Sequence, residues 1–224
     1  MTDDVYIVSK THMNNAVCIG GILLSGRMVR LLDRFGHNQP LDTAIKIGDY
    51  YSISYIENPD IEFPHSEDIL VSDMTYKRST NEKNLRDFIT RKINKQIWRG
   101  RTHLLFDGCL NWTPSGSGYV SPDGDIPKKS TGFWIPSWDL TRKDFNGKVR
   151  YEFMDNPALP GHWISQHQTK YRYFPFVGFQ EPVDIIPKGT LLRVSLARWW
   201  SPDNITELRC YLQLSGWYNL PKPK

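Results

Sequence analysis

The run Pro64-His65-Ser66-Glu67-Asp68 sets an imidazole beside two carboxylates. General acid–base catalysis uses these groups, because a carboxylate can tune an imidazole whose ordinary pKa already lies near neutrality. The same side chains could hold a divalent metal for phosphodiester cleavage. On an extended chain, however, Glu67 and Asp68 point to opposite faces, so both cannot join His65. No second histidine follows at helical spacing, as zinc hydrolases require. A structural turn in which Glu67 or Asp68 accepts backbone amides is the favoured reading. A metal-assisted nuclease or phosphoesterase built on His65, Glu67 and Asp68 stands as the alternative.

Other polar clusters are less committed. Lys10-Thr11-His12-Met13 offers an amine, a hydroxyl and an imidazole on one loop, suited to a phosphate or to a plain polar turn. Ser115-Gly116-Ser117-Gly118 is followed by Tyr119-Val120, not by the Lys-Ser/Thr that opens a helix in a P-loop, which excludes nucleotide hydrolysis of that type. Its glycines still let a base or sugar come close, and Ser130 and Thr131 could add hydroxyls there. There is no Gly-x-Ser-x-Gly elbow. Cys18, Cys109 and Cys210 lie far apart without zinc-type spacing, so reduced, buried thiols are expected, with no metal and no cofactor.

The segment Gly189–Tyr218 says most. Read as two paired strands around Ser201-Pro202-Asp203-Asn204, it puts Leu192, Val194, Leu196, Leu208, Cys210, Leu212 and Leu214 on one face. The other face carries Arg193, Ser195, Trp199, Arg209, Tyr211, Gln213 and Trp217. Guanidinium groups, hydroxyls, an amide and flat rings suit a base or a phosphodiester better than a merely solvated face would. The competing reading buries those rings under another segment and pairs the arginines with acids.

The elements that must position these groups are mostly short strands. Val5–Val8 opens the first; Val17–Leu24 and Arg27–Leu32 flank a tight Ser25-Gly26 turn; Tyr50–Ile56 follows Ile47-Gly48-Asp49; another extended piece ends at Val71. Between Asn81 and Ile97 the residues Leu85, Phe88, Ile89, Ile93 and Ile97 recur at helical spacing. Ser79 with Glu82 reads as its capping box and Gly100 as its stop. Leu140–Gln168 reads as a long irregular insertion containing an Asp144–Gly147 turn and His162, Trp163 and His167. Strand signals return from Tyr171 to Glu181. Gly48-Asp-Tyr-Tyr-Ser-Ile-Ser-Tyr55 aligns weakly with Gly189-Thr-Leu-Leu-Arg-Val-Ser-Leu196, which suggests two copies of one small barrel, roughly 1–103 and 104–224.

Composition agrees with a globular, β-rich chain: 13% of the 224 residues are aromatic, and such a length buries a core without disulfides. A formal charge of +4 permits a nucleic-acid partner only through a local basic patch. The first residues lack a basic, apolar leader, and no window reaches the ~20 apolar residues of a membrane span. The expectation is a soluble, cytoplasmic protein.

Several of these stretches together resemble one family. Lys-Thr-His-Met, Cys18-Ile-Gly-Gly21, Arg30-Leu-Leu32, Pro-His-Ser-Glu-Asp-Ile-Leu-Val71, Leu105-Phe-Asp-Gly108, Gly116-Ser-Gly-Tyr119 and Ser130-Thr-Gly-Phe-Trp134 look like motifs of the bacterial dual OB-containing domain proteins. So do Leu192-Arg-Val-Ser-Leu-Ala-Arg-Trp-Trp200 and Arg209-Cys-Tyr-Leu-Gln-Leu-Ser-Gly-Trp-Tyr218, the most specific of the set. The resemblance implies a mainly β chain of two OB-like barrels with one amphipathic helix between or beside them. It implies recognition of nucleic acid or nucleotides in bacterial conflict and anti-phage systems, and brings no enzymatic activity. The matching positions are Lys10, Thr11, His12, His65, Glu67, Asp68, Arg193, Arg198 and Arg209. The stretch Leu159–Phe174 is longer than the family pattern. The resulting expectation is a non-enzymatic module in which Arg193, Arg198 and Arg209 meet phosphates and Trp199, Tyr211 and Trp217 stack bases. A scaffold that binds only other subunits of a defence complex is a further alternative.

Overall fold

The computed structural model describes residues 1–155, 170–201, 207–218 and 220. The first half contains β1 (Thr2–Met13), β2 (Ala16–Leu23), β3 (Met28–Asp33), β4 (Asp49–Glu57) and β5 (Asp68–Ser79). They close into a barrel in the order β1-β2-β3-β5-β4, antiparallel throughout except for the parallel β3–β5 pair. Alternation fills it: Val5, Ile7, Ile19, Leu31, Ile53 and Ile69 point inward and are buried. The Ser25-Gly26 turn lies where expected, with Gly26 at φ +91°. β5 runs eight residues past Val71, because its later part is exposed and lacks the alternation by which strands are read.

α1 (Glu82–Ile93) continues into a short 3-10 turn at Asn94–Gln96. Its cap is Asn81, whose Oδ1 accepts from the Asn84 N–H at 2.9 Å. Ser79 belongs to β5 and donates to Asp49 at 2.7 Å, so the expected capping box does not form. Leu85, Phe88, Ile89 and Ile93 pack against Val8, Ile22 and Met28 of the first barrel and against Phe133, Leu191 and Tyr218 of the second half. The helix is thus a wedge shared by both.

The second half holds β6 (Ile97–Gly100), β7 (Asn111–Trp112), β8 (Gly118–Val120), β9 (Thr131–Pro136), β10 (Leu140–Phe145) and β11 (Lys148–Met154). After them come β12 (Tyr171–Pro175), β13 (Ile185–Ile186), β14 (Leu191–Leu196) and β15 (Cys210–Tyr218). Gly100 therefore ends β6 instead of the helix. β6 pairs in parallel with β9, so the second sheet begins before residue 103. Leu140–Met154, read as irregular, is a strand hairpin around the expected Asp144–Gly147 turn; scattered charges hide the inward pair Tyr151 and Phe153. His162, Trp163, His167 and most of the Leu159–Phe174 stretch lie outside the described residues.

Two sheets, β6-β9-β14-β15-β8-β7 and β12-β11-β10-β13, build this half. Leu192 faces Trp134 and Ile186 faces Leu140, six residues further along each strand, so β9–β14 and β10–β13 are one ladder interrupted by a break. On the other side, the parallel bridge Phe176–Leu214 brings β12 to β15, as β3 meets β5 in the first barrel. The result is a second, less completely closed barrel of the same strand order. An OB barrel has this five-stranded, partly open form.

The weak sequence repeat has a structural basis. Gly48 (φ +93°) and Gly189 (φ +80°) enter their strands in the left-handed region that favours glycine. Gly48 N–H donates to Ile7 at 2.9 Å and Gly189 N–H to Pro136 at 3.0 Å, each in the first strand of its own barrel. Six residues on, Ser54 stands opposite Thr2 and Ser195 opposite Thr131. No helix among the described residues is long and apolar enough to cross a membrane.

Candidate nucleic-acid interface

Residues 63–68 reach from the first barrel into the second. The Glu67 carboxylate accepts from Ser130 Oγ (3.0 Å), the Thr131 N–H (2.9 Å) and Thr131 Oγ1 (3.0 Å). Asp68 joins two arginines, binding Arg30 Nε on one oxygen and Arg198 Nη2 at 2.6 Å on the other. His65 is wholly buried, with Cys210 Sγ 3.9 Å from its Nε2 and no hydrogen-bond partner for its Nδ1 among the described residues. Burial, followed by the charges of Arg30 and Arg198, pushes the His65 pKa down to about 2, so the ring stays neutral. The nuclease alternative needs these three groups accessible and free. They are buried, and both acids are spent on joining the barrels. As the period-two argument requires, Glu67 and Asp68 serve different partners. Among the described residues no group of three or more His, Cys, Asp or Glu could hold a metal ion.

The polar face of the closing hairpin has two ends. At the inner end Arg193 is buried at 3% exposure, its guanidinium 5.4 Å from the centre of the Phe133 ring. Gly20 makes room for it: a Cβ there would meet Arg193 Nη2 at 2.5 Å. Arg193 lines a cavity of about 30 Å³ between the barrels, together with Arg30, Arg198, Thr11, Ser195 and Gln213. Arg193 therefore does not face an open platform, as the hairpin alternation predicted. Thr11 is buried in the same place, and Gln213 is half-buried at the cavity's edge.

The outer end is partly accessible, with Arg209, Tyr211 and Tyr119 half-buried. Trp200 is 54% exposed and meets Tyr211 edge-on at 6.1 Å. Arg209 lies 4.1 Å over the Tyr119 ring, with Glu207 3.5 Å away. Tyr211 stands 6.1 Å from Tyr119 and shares Gln213's face of β15. Trp200 and Tyr119 were missed from sequence: the first follows the end of β14 and the second lies on a three-residue strand, so neither shows periodicity.

Trp217 and Trp199 are placed differently from the expectation. Val194 faces Leu214 but Arg193 faces Gly216, so Ser215 is an extra residue in a β-bulge. The bulge reverses the alternation, and Trp217 falls opposite Leu192 on the core side. It is 4% exposed and stacks on Phe176 at 5.0 Å, leaving no face for a base. Trp199 is half-buried and donates its indole N–H to the Phe63 carbonyl at 2.8 Å, a contact between barrels. Leu208, assigned to the core face, is half exposed, since it precedes the strand.

Lys10 Nζ donates to the carbonyls of Thr43 (3.0 Å) and Ile45 (3.2 Å), fastening a loop. His12 is exposed and stacks on Phe179 at 3.8 Å. The Gly-Ser loop borders a cavity of about 680 Å³ with Trp112, Tyr171, Arg172 and Tyr173. A Cβ at Gly116 would meet the Tyr171 carbonyl at 2.4 Å, so that glycine admits the neighbouring strand and not a ligand.

Fold and site together define a two-barrel β protein whose halves are joined by buried ionic and hydrogen-bonded contacts. The chain belongs to the dual OB-containing domain family, whose model matches residues 4–217. No curated protein matches its sequence. Two solved structures are similar to it. One, described as "Structural mimicry for functional antagonism", shares 10% identity at a TM-score of 0.36, covering 96% of this chain and 92% of the other. The second, a murine DNA-binding protein bound with double-stranded DNA, shares 9% identity at a TM-score of 0.31, with coverages of 96% and 92%.

Proposed function

We propose that this protein recognises single-stranded nucleic acid or a nucleotide, without cleaving it, through the outer end of the closing hairpin. The observation that carries this reading is the exposed Trp200 beside the half-buried Tyr211, Tyr119 and Arg209 on the second barrel. Flat rings beside a guanidinium offer a base its stacking partner and a phosphate its counter-charge. Tyr211 and Trp200 stack bases, Arg209 meets phosphate, and His12 with Phe179 forms a second exposed ring pair. The setting implied by the family resemblance is a bacterial defence system with other subunits as partners, and the proposed location, read from the sequence, is the cytoplasm.

Titration of fluorescent oligo-dT and oligo-U at low salt tests the reading. Binding is expected to weaken steeply as salt rises. It should also weaken in Tyr211→Ala and Arg209→Ala. No binding at 20 mM salt, or binding indifferent to both substitutions, would sink it; shortened product would favour hydrolysis.

A further inference from the structure

The inner cavity carries a charge pattern that its protein partners do not balance. Three guanidinium groups line it, from Arg30, Arg193 and Arg198. Asp68 answers Arg30 and Arg198, and Glu67 is taken up by Ser130 and Thr131. Neither carboxylate lines the cavity. Arg193 makes no ion pair with a described acid, and buried charges are normally paired. Two buried guanidinium nitrogens, Arg30 Nη2 and Arg193 Nη1, have no hydrogen-bond partner among the described residues. Their residues are only 6% and 3% exposed.

Hydroxyls complete the lining. Ser9 and Thr11 come from β1. Ser195 and Ser215 share one hydrogen bond of 2.8 Å, which leaves one hydroxyl hydrogen of the pair to donate elsewhere. Hydroxyls and planar N–H forks are the donors that oxyanions select. A volume of about 30 Å³ holds one compact charged group and excludes a base or a sugar. The residues arrive from both barrels: Arg30, Ser9 and Thr11 from the first, Arg193, Ser195 and Ser215 from the second. An anion here would neutralise excess charge at the seam and tie the barrels together.

We propose that the interbarrel cavity is an oxyanion site that takes a phosphoryl group, held by Arg193 and Arg30 with the Ser9 and Thr11 hydroxyls. The group has two sources, a free phosphate ion or the phosphoryl end of a ligand on the outer platform. Only the second source rests on the nucleic-acid reading.

Thermal unfolding of the full chain in sodium phosphate, against sodium gluconate at matched ionic strength, tests the site. Phosphate should raise Tm with the logarithm of its concentration above Kd, by about 3–6 °C at ten times its Kd. Arg193→Met should abolish that rise. Thr11→Val, which keeps all charges, should weaken phosphate binding by roughly fivefold for one lost hydrogen bond. A Tm that follows ionic strength whatever the anion, or a phosphate response that survives both substitutions, overturns the proposal. Oligonucleotides with a 5′-phosphate or a 5′-hydroxyl separate the sources. A 5′-phosphate preference lost in Arg193→Met assigns the terminal group; equal binding beside an intact phosphate response assigns the free ion. An intact phosphate response with no oligonucleotide binding leaves the anion site standing and removes the nucleic-acid reading.

Discussion

Tyr211 and Arg193 lie on the same polar face of one hairpin, yet they occupy opposite environments. Tyr211 looks out past Trp200 and Arg209, whereas Arg193 sits in a cavity closed by the first barrel. The covering is done by β1, through His12 N–H to Val177 O at 2.8 Å, and by residues 63–68. Strand alternation decides which side chains share a face. Whether that face meets solvent or another domain is decided by contacts far away in sequence. The outer end can therefore be argued as a binding surface, and the inner end as part of what holds the protein together.

The sharpest break in that comparison is Asp68→Ala. It leaves the Arg30 charge buried without its partner and should cost about 3–5 kcal/mol of stability in urea unfolding. Arg209→Ala, at the outer end, should cost less than about 1 kcal/mol. Equal costs would mean that the two ends are not distinct.

Trp217→Ala should likewise cost about 3–5 kcal/mol, as an aromatic removed from a packed core. Tyr211→Ala should leave the urea midpoint nearly unchanged and weaken oligonucleotide binding by about 1–3 kcal/mol. If Trp217→Ala instead lost binding at wild-type stability, the assignment of the two rings would be reversed.

His65 gives the seam a pH dependence. Its pKa is about 2 folded and near 6.5 unfolded, so below pH 6.5 the unfolded chain binds a proton that the folded chain does not. Stability from this group is full above pH 6.5 and declines as pH falls, by up to about 2 kcal/mol between pH 6.5 and 5. Urea midpoints at both pH values should converge in His65→Gln, apart from what other groups contribute. An unchanged gap between wild type and variant would show that the ring is not held neutral.

The smallest effect is on salt dependence. Arg209→Ala should reduce the slope of log K against log salt by roughly 0.7 for single strands, one phosphate contact's worth. A slope that does not move would detach Arg209 from phosphate and leave the rings alone as the platform.

Much of the fold was legible, because its cues are local. Period-two alternation marked β1 to β4, helical spacing marked α1, and Gly48 and Gly189 marked the entry to equivalent strands. β5 beyond Val71 was hidden by its exposure, β10 and β11 by their charges. The site was less legible. The Ser215 bulge moved Trp217 to the core, and a bulge leaves no mark in alternation by residue type. His65, Glu67 and Asp68 look catalytic by composition; their partners, Ser130, Thr131, Arg198 and Cys210, lie more than sixty residues away along the chain.

By itself the sequence determined a series of short strands, one amphipathic helix and a hairpin with a polar, aromatic face, since side-chain periodicity and turn chemistry act over a few residues. The two barrels rested on a weak repeat and on the family resemblance. Tertiary structure alone decided which part of that face stays open, that Gly20 leaves room for the Arg193 guanidinium, and that three arginines meet in one cavity. Those outcomes depend on burial and charge pairing between segments that become neighbours only once both barrels are closed.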